Sequence, residues 1–279
     1  MPRSLRISLL LLPSGLLMAV FVYGLIRLIG SSLIVDGTLD FTYYEAIFSR
    51  SDYVAMLGRT LRIAAMTTFF SLLLGFPTAY YVARYRGNRN ILLLLIIFPW
   101  LVSIVVRSYG WVVILGPRGL INGVLTWTGV VERPLKLMYN DFGVILGLVH
   151  VLLPFMIIAI LSVLMQIPRT LEEASMSLGG RPAHSFRTVL LPLAMPGVLT
   201  GITLVYLMAT GAIVTPLLLG GLGDTMLGTE IFQEVMHFFD YPKAAALATV
   251  LLVTALAVVL PIQLLERWLS ARLSDGGAL

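Results

Sequence analysis

The chain has 279 residues, of which 58% are hydrophobic and 12% are charged, and its formal net charge is +5. Soluble domains carry about 25% charged residues, so this composition excludes an ordinary soluble fold and predicts an all-α polytopic membrane protein. The lack of cysteine excludes disulfides, thiolate metal sites and a thiol nucleophile in this chain. No basic run with interleaved aromatic residues indicates nucleic-acid binding.

Six apolar runs are long enough to cross a membrane as helices, because about 20 residues span the hydrocarbon core. They cover residues 7–29, 60–83, 90–115, 142–165, 192–216 and 244–266. The first run resembles a signal peptide, but it is too long and no A-x-A-like cleavage site follows, so we interpret it as a span. Without a strong internal repeat or a linker, one domain over residues 1–279 is expected.

The loops between the spans differ in charge. Arginines gather on one side: Arg3, Arg6, Arg84, Arg86, Arg89, Arg169, Arg181, Arg187, Arg267 and Arg272. The other side has fewer cations, chiefly Arg50, Arg118, Arg133 and Lys136, and is rich in acids: Asp36, Asp40, Glu45, Asp52, Glu132, Asp141, Asp224, Glu230, Glu234 and Asp240. The positive-inside rule therefore predicts that both termini and residues 166–191 are cytoplasmic.

Two longer external segments, residues 30–58 and 217–243, contain the stretches FTYYEAIF and GTEIFQEVMHFF. Their apolar residues recur at helical spacing, which predicts short amphipathic helices on the outer surface. Such helices serve either to pack against the outer ends of the spans or to contact a ligand, and the pattern does not separate these roles.

The connection at residues 168–191 has the signals of a helix–turn–helix. Pro168 ends the fourth span, and Thr170 with Glu173 has capping-box spacing, which predicts a helix from Leu171. One face of this helix is apolar and small, and consists of Leu171, Ala174, Ser175 and Leu178. Gly179 and Gly180 can stop the helix in the left-handed conformation, and Pro182 suits the start of a second helix that runs toward Val189 before Pro192 restarts the chain.

A connecting loop needs only a few residues, so ordering about 25 of them favours a partner surface that offsets the lost conformational entropy. Glu173-Ala174-Ser175, three residues, Gly179, nine residues and then Val189-Leu190-Leu191-Pro192 resembles the EAA loop of ABC-importer permeases. The family pattern has Ala at the third position and Ile in place of Val189, and both differences are small in volume.

Further stretches extend the resemblance to the spermidine/putrescine-type permeases. They are SIVVRSYGWVVILGPRGLIN at 103–122, HVLLPFMIIAILSVL at 150–164 and GAIVTPLLLGG at 211–221. The resemblance implies the type I permease fold in the bacterial inner membrane. It also implies four kinds of partner: a second homologous permease, two ATPase subunits, an extracytoplasmic binding protein and membrane lipid. The EAA loop, Leu171 to Pro182, would then dock on the ATPase.

The sequence contains no ATP-binding motif of its own. The only lysines are Lys136 and Lys243, and neither follows a G-x-x-x-x-G-K-[ST] loop, so ATP and Mg would be bound by the partner and no cofactor by this chain. We read Gly179-Gly180 as a helix stop rather than a phosphate cradle. His150, His184 and His237 are scattered, so no H-E-x-x-H metal site or catalytic residue is predicted.

Polar residues at membrane depth are candidates for the translocation path. Arg107 and Tyr109 lie in the third span and His150 in the fourth. Arg107 either contacts the solute or forms a structural ion pair near the outer interface. The fifth span is broken by GAIVTP, where Thr210 and Thr215 could offer hydroxyls to a solute, although a simple kink is the alternative.

The transported solute is inferred from the resemblance and from the charges near the path. The resemblance implies a polyamine, whose ammonium groups need carboxylates and aromatic faces. No carboxylate is predicted at mid-membrane depth and Arg107 would repel a cation, which leaves opines, amino-acid derivatives and other small polar solutes open. A gradient-driven carrier would need intramembrane acids, and an intramembrane enzyme would need a nucleophile–base pair. Neither is apparent in the sequence.

Overall fold

The computed structural model describes residues 3–35, 38–221, 223 and 225–275, with side chains for residues 12–34, 38–221, 223 and 225–269. Three arginines that support the predicted orientation, Arg3, Arg6 and Arg272, have side chains outside the described set. Asp36 and Asp224 lie outside it altogether.

The described chain is helical apart from one two-residue β-ribbon, in which Ile34 pairs with Leu39 and Val35 with Thr38 in antiparallel register. In chain order the elements are α1 (Arg3–Leu33), β1 (Ile34–Val35), β2 (Thr38–Leu39), α2 (Thr42–Ser49), α3 (Ser51–Arg84), α4 (Arg89–Leu101), α5 (Ile104–Leu115), α6 (Leu120–Trp127), α7 (Asp141–Leu164), α8 (Arg169–Ser177), α9 (Pro182–Ser185), a π-helical turn (Phe186–Leu190), α10 (Leu191–Thr210), α11 (Val214–Leu219), α12 (Leu227–Gln233), a second π-helical turn (Glu234–Phe238) and α13 (Tyr241–Asp275).

Six helical stretches of the described chain are long and apolar enough to cross a membrane, which confirms the predicted fold class. They are Leu12–Leu33, Ser51–Arg84, Ile104–Trp127, Asp141–Leu164, Pro182–Thr210 and Tyr241–Leu269. The second begins well before predicted residue 60, and this extension places Arg59 on α3 beside Arg62. The external stretches also form helices as predicted, namely α2 and α12 with the turn after it.

The structure corrects the predicted third span, residues 90–115. Val102 and Ser103 are extended, so the segment divides into α4 and α5. Pro99 in the last turn of α4 has no amide hydrogen to donate, which weakens the helix just before the break. With 13 residues α4 is about 20 Å long and too short to span the hydrocarbon core. The third crossing therefore runs from Ile104 through α6.

The fifth span breaks where the sequence predicted it. Helix α10 ends at Thr210, and residues Gly211 to Ile213 are not helical before α11 begins. Its start differs from the prediction, since the chain is helical from Pro182 and does not restart at Pro192. The amide of Leu191 donates to the carbonyl of Phe186, five residues back. This widened turn lets the helix continue into Pro192, which has no amide hydrogen of its own.

The core forms where α7 packs between α3 and α10. In the most apolar window of α7, 67% of residues are buried within the chain, against 6% for α1, which therefore faces lipid or another subunit. Small residues let the backbones approach closely, as is common between membrane helices. A Cβ added to Gly75 of α3 would lie 2.8 Å from Cγ of Met156, and one added to Gly201 of α10 would lie 2.7 Å from its Sδ.

The contact between α7 and α10 predicts the effect of a bulky substitution. A Cβ at Gly197 would lie 2.9 Å from Val163 Cγ2 and 3.0 Å from the carbonyl oxygen of Ala159. Gly197→Val should therefore destabilise the protein by about 1–3 kcal/mol through overpacking. The matched control is Gly24→Val, since nothing lies within 4 Å of a Cβ at Gly24. Equal thermal unfolding midpoints of the two purified variants in detergent would contradict this packing.

Candidate functional site

We call residues 168–191 the hairpin. Its first helix, α8, begins at Arg169 with Pro168 as the N-cap residue and without a side-chain cap. The predicted capping box is therefore wrong, because Thr170 is already helical and a capping side chain must come from the non-helical residue before the first turn. Glu172 lies in the first turn, where its charge favours the helix dipole.

The turn of the hairpin has Schellman geometry. Gly179 has φ +90°, as predicted, while Gly180 does not share the positive φ. The amide of Gly180 donates to Ser175 O at 3.2 Å and that of Gly179 to Met176 O at 3.0 Å, which satisfies the last carbonyls of α8. Pro182 is the first residue of α9, as expected.

One face of the hairpin has no packing partner within the described chain. Leu171, Ala174 and Leu178 are exposed, Leu178 to 89%, and Ser175 is half-buried beside them. Glu173 is also exposed, and it pairs with Arg169, one turn earlier, at 3.4 Å. The predicted small apolar face is thus present and open.

The opposite face is anchored by Glu172, whose role the sequence did not reveal. Its carboxylate forms an ion pair with Arg84 at the end of α3, and the two side chains are only 13% and 15% exposed. The Tyr80 hydroxyl donates to Glu172 Oε2 at 3.1 Å, and Arg84 Nη1 donates to the carbonyl of Ile167 at 3.2 Å. The two adjacent glutamates therefore differ in their surroundings: Glu172 is largely buried against α3, whereas Glu173 is exposed.

Aromatic packing supports the same anchor. The ring of Phe186, in the π-helical turn, lies edge-on to Phe76 at 5.7 Å and to Tyr80 at 6.4 Å between centroids. Ser185 Oγ donates to the carbonyl of Glu172 at 3.4 Å. A cavity of about 220 Å³ remains between α8, α9 and α3.

Among the predicted path residues, Arg107 and His150 come together on α5 and α7, close enough to interact electrostatically. Trp111 Nε1 donates to His150 Nδ1 at 3.1 Å, so a neutral His150 carries its hydrogen on Nε2. Arg107 Nε and Nη1 are buried and have no hydrogen-bond partner among the residues that the structure describes. Donors without partners at membrane depth could bind an acceptor on a solute.

The other path candidates differ from this pair. Thr215 is buried against α7, near Gly147, and its hydroxyl has no hydrogen-bond partner in the described part of the chain. Thr210 donates its hydroxyl to Tyr206 O at 2.8 Å and is satisfied within its own helix. Tyr109 is 57% exposed. It lies two residues from Arg107 and therefore projects from a different face of α5. Three of the five candidates thus retain polar atoms available inside the protein.

A groove of about 760 Å³, here called the outer groove, lies beside the broken fifth span. It is lined by Lys136, Tyr139, Pro216, Leu217, Gly220, Gly221, Thr225, Thr229, Glu230 and Gln233. Burial and the neighbouring Glu234 carboxylate raise the pKa of Glu230 above its ordinary value. Tyr139 has φ +59°, a strained conformation of the kind that clusters at functional sites.

Charges near the outer groove are paired. Glu234 is 3% exposed and lies 2.5 Å from Lys243 Nζ. Asp141, the first residue of α7, forms ion pairs with Arg59 and Arg62 of α3, the former at 3.7 Å. Arg59 also donates to the Gly223 carbonyl at 2.7 Å. The prediction placed Arg62 inside an apolar run and gave neither arginine a role, because hydropathy does not show which charges meet.

Comparison with known proteins now identifies the family. A family model described as a binding-protein-dependent transport system inner membrane component matches residues 55–275. The spermidine/putrescine transport system permease protein PotB of Escherichia coli K12 is 31% identical over 257 residues, covering 89% of this chain and 91% of the relative. The inner membrane ABC transporter permease protein YdcU of the same strain is 30% identical and covers 74% and 69%.

Solved structures share the fold. The structure of a bacterial alginate ABC transporter in complex with an alginate pentasaccharide-bound periplasmic protein has a chain that superimposes with a TM-score of 0.79 at 20% identity, covering 95% of both chains. A chain of the MetNI methionine ABC transporter in an inward-facing conformation superimposes at 0.54, also at 20% identity. The chain therefore belongs to the binding-protein-dependent transport system inner membrane components and is a permease subunit of an ABC importer.

Proposed function

We propose that this permease forms half of a translocation path together with a second homologous permease. Two ATPase subunits would bind ATP and Mg, and an extracytoplasmic binding protein would deliver the solute. The hairpin would dock on the ATPase through Leu171, Ala174, Ser175 and Leu178, and through the exposed Glu173. One observation carries this proposal: a capped hairpin holds this apolar face open while Glu172 anchors its other side.

The charge distribution supports an orientation with the hairpin in the cytoplasm of a bacterial cell. Arg84, Arg169, Arg181 and Arg187 surround the hairpin end, whereas the opposite end carries Asp141, Glu230, Glu234 and Asp240. The positive-inside rule assigns the arginine-rich end to the cytoplasm. ATP is available on that side, so the same orientation serves ATPase docking. Both termini would then be cytoplasmic.

We infer that the solute is a polyamine. Two relatives named as spermidine/putrescine permeases, from Escherichia coli K12 and Haemophilus influenzae, are 31% identical to this chain over 89% and 87% of its length. The outer groove supplies a carboxylate, Glu230, and the aromatic ring of Tyr139. These are the groups that bind an ammonium through a charged hydrogen bond and a cation–π contact.

Arg107 favours a second candidate, a solute with a carboxylate such as an opine or another amino-acid derivative. Its Nε and Nη1 are buried and none of the described residues bonds to them, and the Trp111–His150 hydrogen bond holds a second polar group beside it. A guanidinium binds a carboxylate through two parallel hydrogen bonds. A polyamine would have to pass this charge without contact.

The turn at Gly179 tests docking. Gly179→Val should prevent binding of the ATPase subunit and abolish uptake, because a β-branched residue does not tolerate φ +90°. Gly179→Asn is the matched control, since Asn adopts the left-handed conformation far more readily. Co-purification of the ATPase and solute uptake are the measurements. A Val variant that keeps both at the level of the Asn variant would contradict the docking role.

Arg107→Gln distinguishes the two solutes. In proteoliposomes with the complete transporter and its binding protein, spermidine uptake should be equal or faster in this variant, because a repulsive charge is removed. The exposed Arg118 provides the control Arg118→Gln. If spermidine does not stimulate ATP hydrolysis while an opine does, and Arg107→Gln lowers opine uptake about tenfold or more, the polyamine assignment is wrong.

The raised pKa of Glu230 predicts that the KM for spermidine depends on pH. A raised pKa means that Glu230 takes up a proton at a pH above its ordinary 4.5, and the neutral acid no longer attracts an ammonium. The KM for spermidine should therefore rise as the pH falls toward this pKa. Glu230→Gln should raise KM about tenfold at neutral pH and remove the pH effect, whereas the exposed control Glu45→Gln should change neither. A pH profile shared by parent and variant would exclude Glu230.

A further inference from the structure

Helix α3 reaches from the outer ion pairs to the hairpin. Its 34 residues give a length of about 51 Å. Near one end Arg59 and Arg62 pair with Asp141, the first residue of α7. At the other end Arg84 donates to the carbonyl of Ile167, three residues beyond the end of α7. The two helices are therefore tied together at both ends.

Between these ties the helices pack closely, with the small polar side chains of Thr67 and Ser71 buried among apolar residues of α3. Ile63 and Ala64 of α3 are fully buried, and Gly75 brings its backbone against Met156 of α7. Packed interiors transmit displacement because they have few voids to absorb it. A force applied to the Arg84 end of α3 should therefore move α7 as well.

Within the hairpin, helix α8 reaches α3 through few groups. α8 packs mainly against α9 and the π-helical turn that follow it. The link from α8 to α3 consists of long side chains: Glu172 meets Arg84 by an ion pair and Tyr80 by a hydrogen bond. Both charged side chains are largely shielded from water, so removing one charge leaves the other poorly compensated.

We propose that Glu172 and Arg84, supported by Tyr80, are positioning residues that transmit movement of the docked hairpin to α3, and that α3 and α7 move as one rod. This inference rests on the proposed docking of the ATPase at the hairpin. It separates two tasks within the hairpin: the exposed apolar face of α8 docks on the ATPase, and Glu172 connects the hairpin to the membrane helices.

The test measures coupling and docking separately. The complete transporter carrying Arg84→Gln or Glu172→Gln should retain its ATPase subunits and hydrolyse ATP, but should transport about fivefold less spermidine per ATP. The charge exchange Arg84→Glu with Glu172→Arg should restore part of this ratio. Arg86→Gln, an exposed arginine two residues from Arg84, is the matched control and should leave the ratio unchanged.

Tyr80→Phe covers the case in which a charge variant does not fold. It removes only the hydroxyl that donates to Glu172 and should lower the ratio of solute to ATP by a smaller factor. Either an unchanged ratio in all these variants or a loss of ATPase subunits proportional to the loss of transport would overturn the inference. If the docking proposal itself is wrong, the Gly179→Val transporter should instead retain its ATPase subunits in full.

Discussion

Hydrocarbon cannot hydrogen-bond to a peptide group, and this constraint shapes most of the chain. Long helices satisfy their own amides, and where a helix stops inside the membrane the freed groups must be covered by protein. The break after Thr210 meets this requirement, because Thr210, Thr215 and Pro216 are buried against neighbouring helices. A break in this position leaves polar atoms inside the protein.

Helix α7 organises the polar features around it. Its outer end carries Asp141 with two arginines of α3, its middle carries His150 beside Arg107 and Trp111, and just past its inner end lies the carbonyl that accepts from Arg84. The paired charges near the ends of the helix hold α3 in place. Arg107, whose hydrogen-bonding groups are only partly satisfied, lies between these paired charges. This arrangement is expected if the ends of the helix serve stability and its middle serves transport.

The hairpin illustrates how one short segment combines a rigid shape with an open surface. Gly179 fixes its turn, and Glu172 fixes the side that faces α3. The apolar face around Leu178 therefore remains exposed, although contact of apolar side chains with water is unfavourable. An exposed apolar surface of this kind marks an interaction site. The resemblance of the hairpin to the EAA loop of importer permeases and its position at the arginine-rich end are both consistent with the ATPase docking proposed above.

Hydropathy and local spacing determined the six crossings, the stop at Gly179 and the break in the fifth span, because these depend on residues close together in sequence. The same signals missed the break at Val102 and Ser103, since both lie in a continuous apolar run. Only the tertiary structure decided which charges meet. Arg62 and Asp141 are 79 positions apart and Tyr80 and Glu172 are 92 apart, so their contacts follow from the packing of α3 on α7 and the fold of the hairpin. Packing depends on side-chain shape across two helices, which periodicity along one helix does not encode.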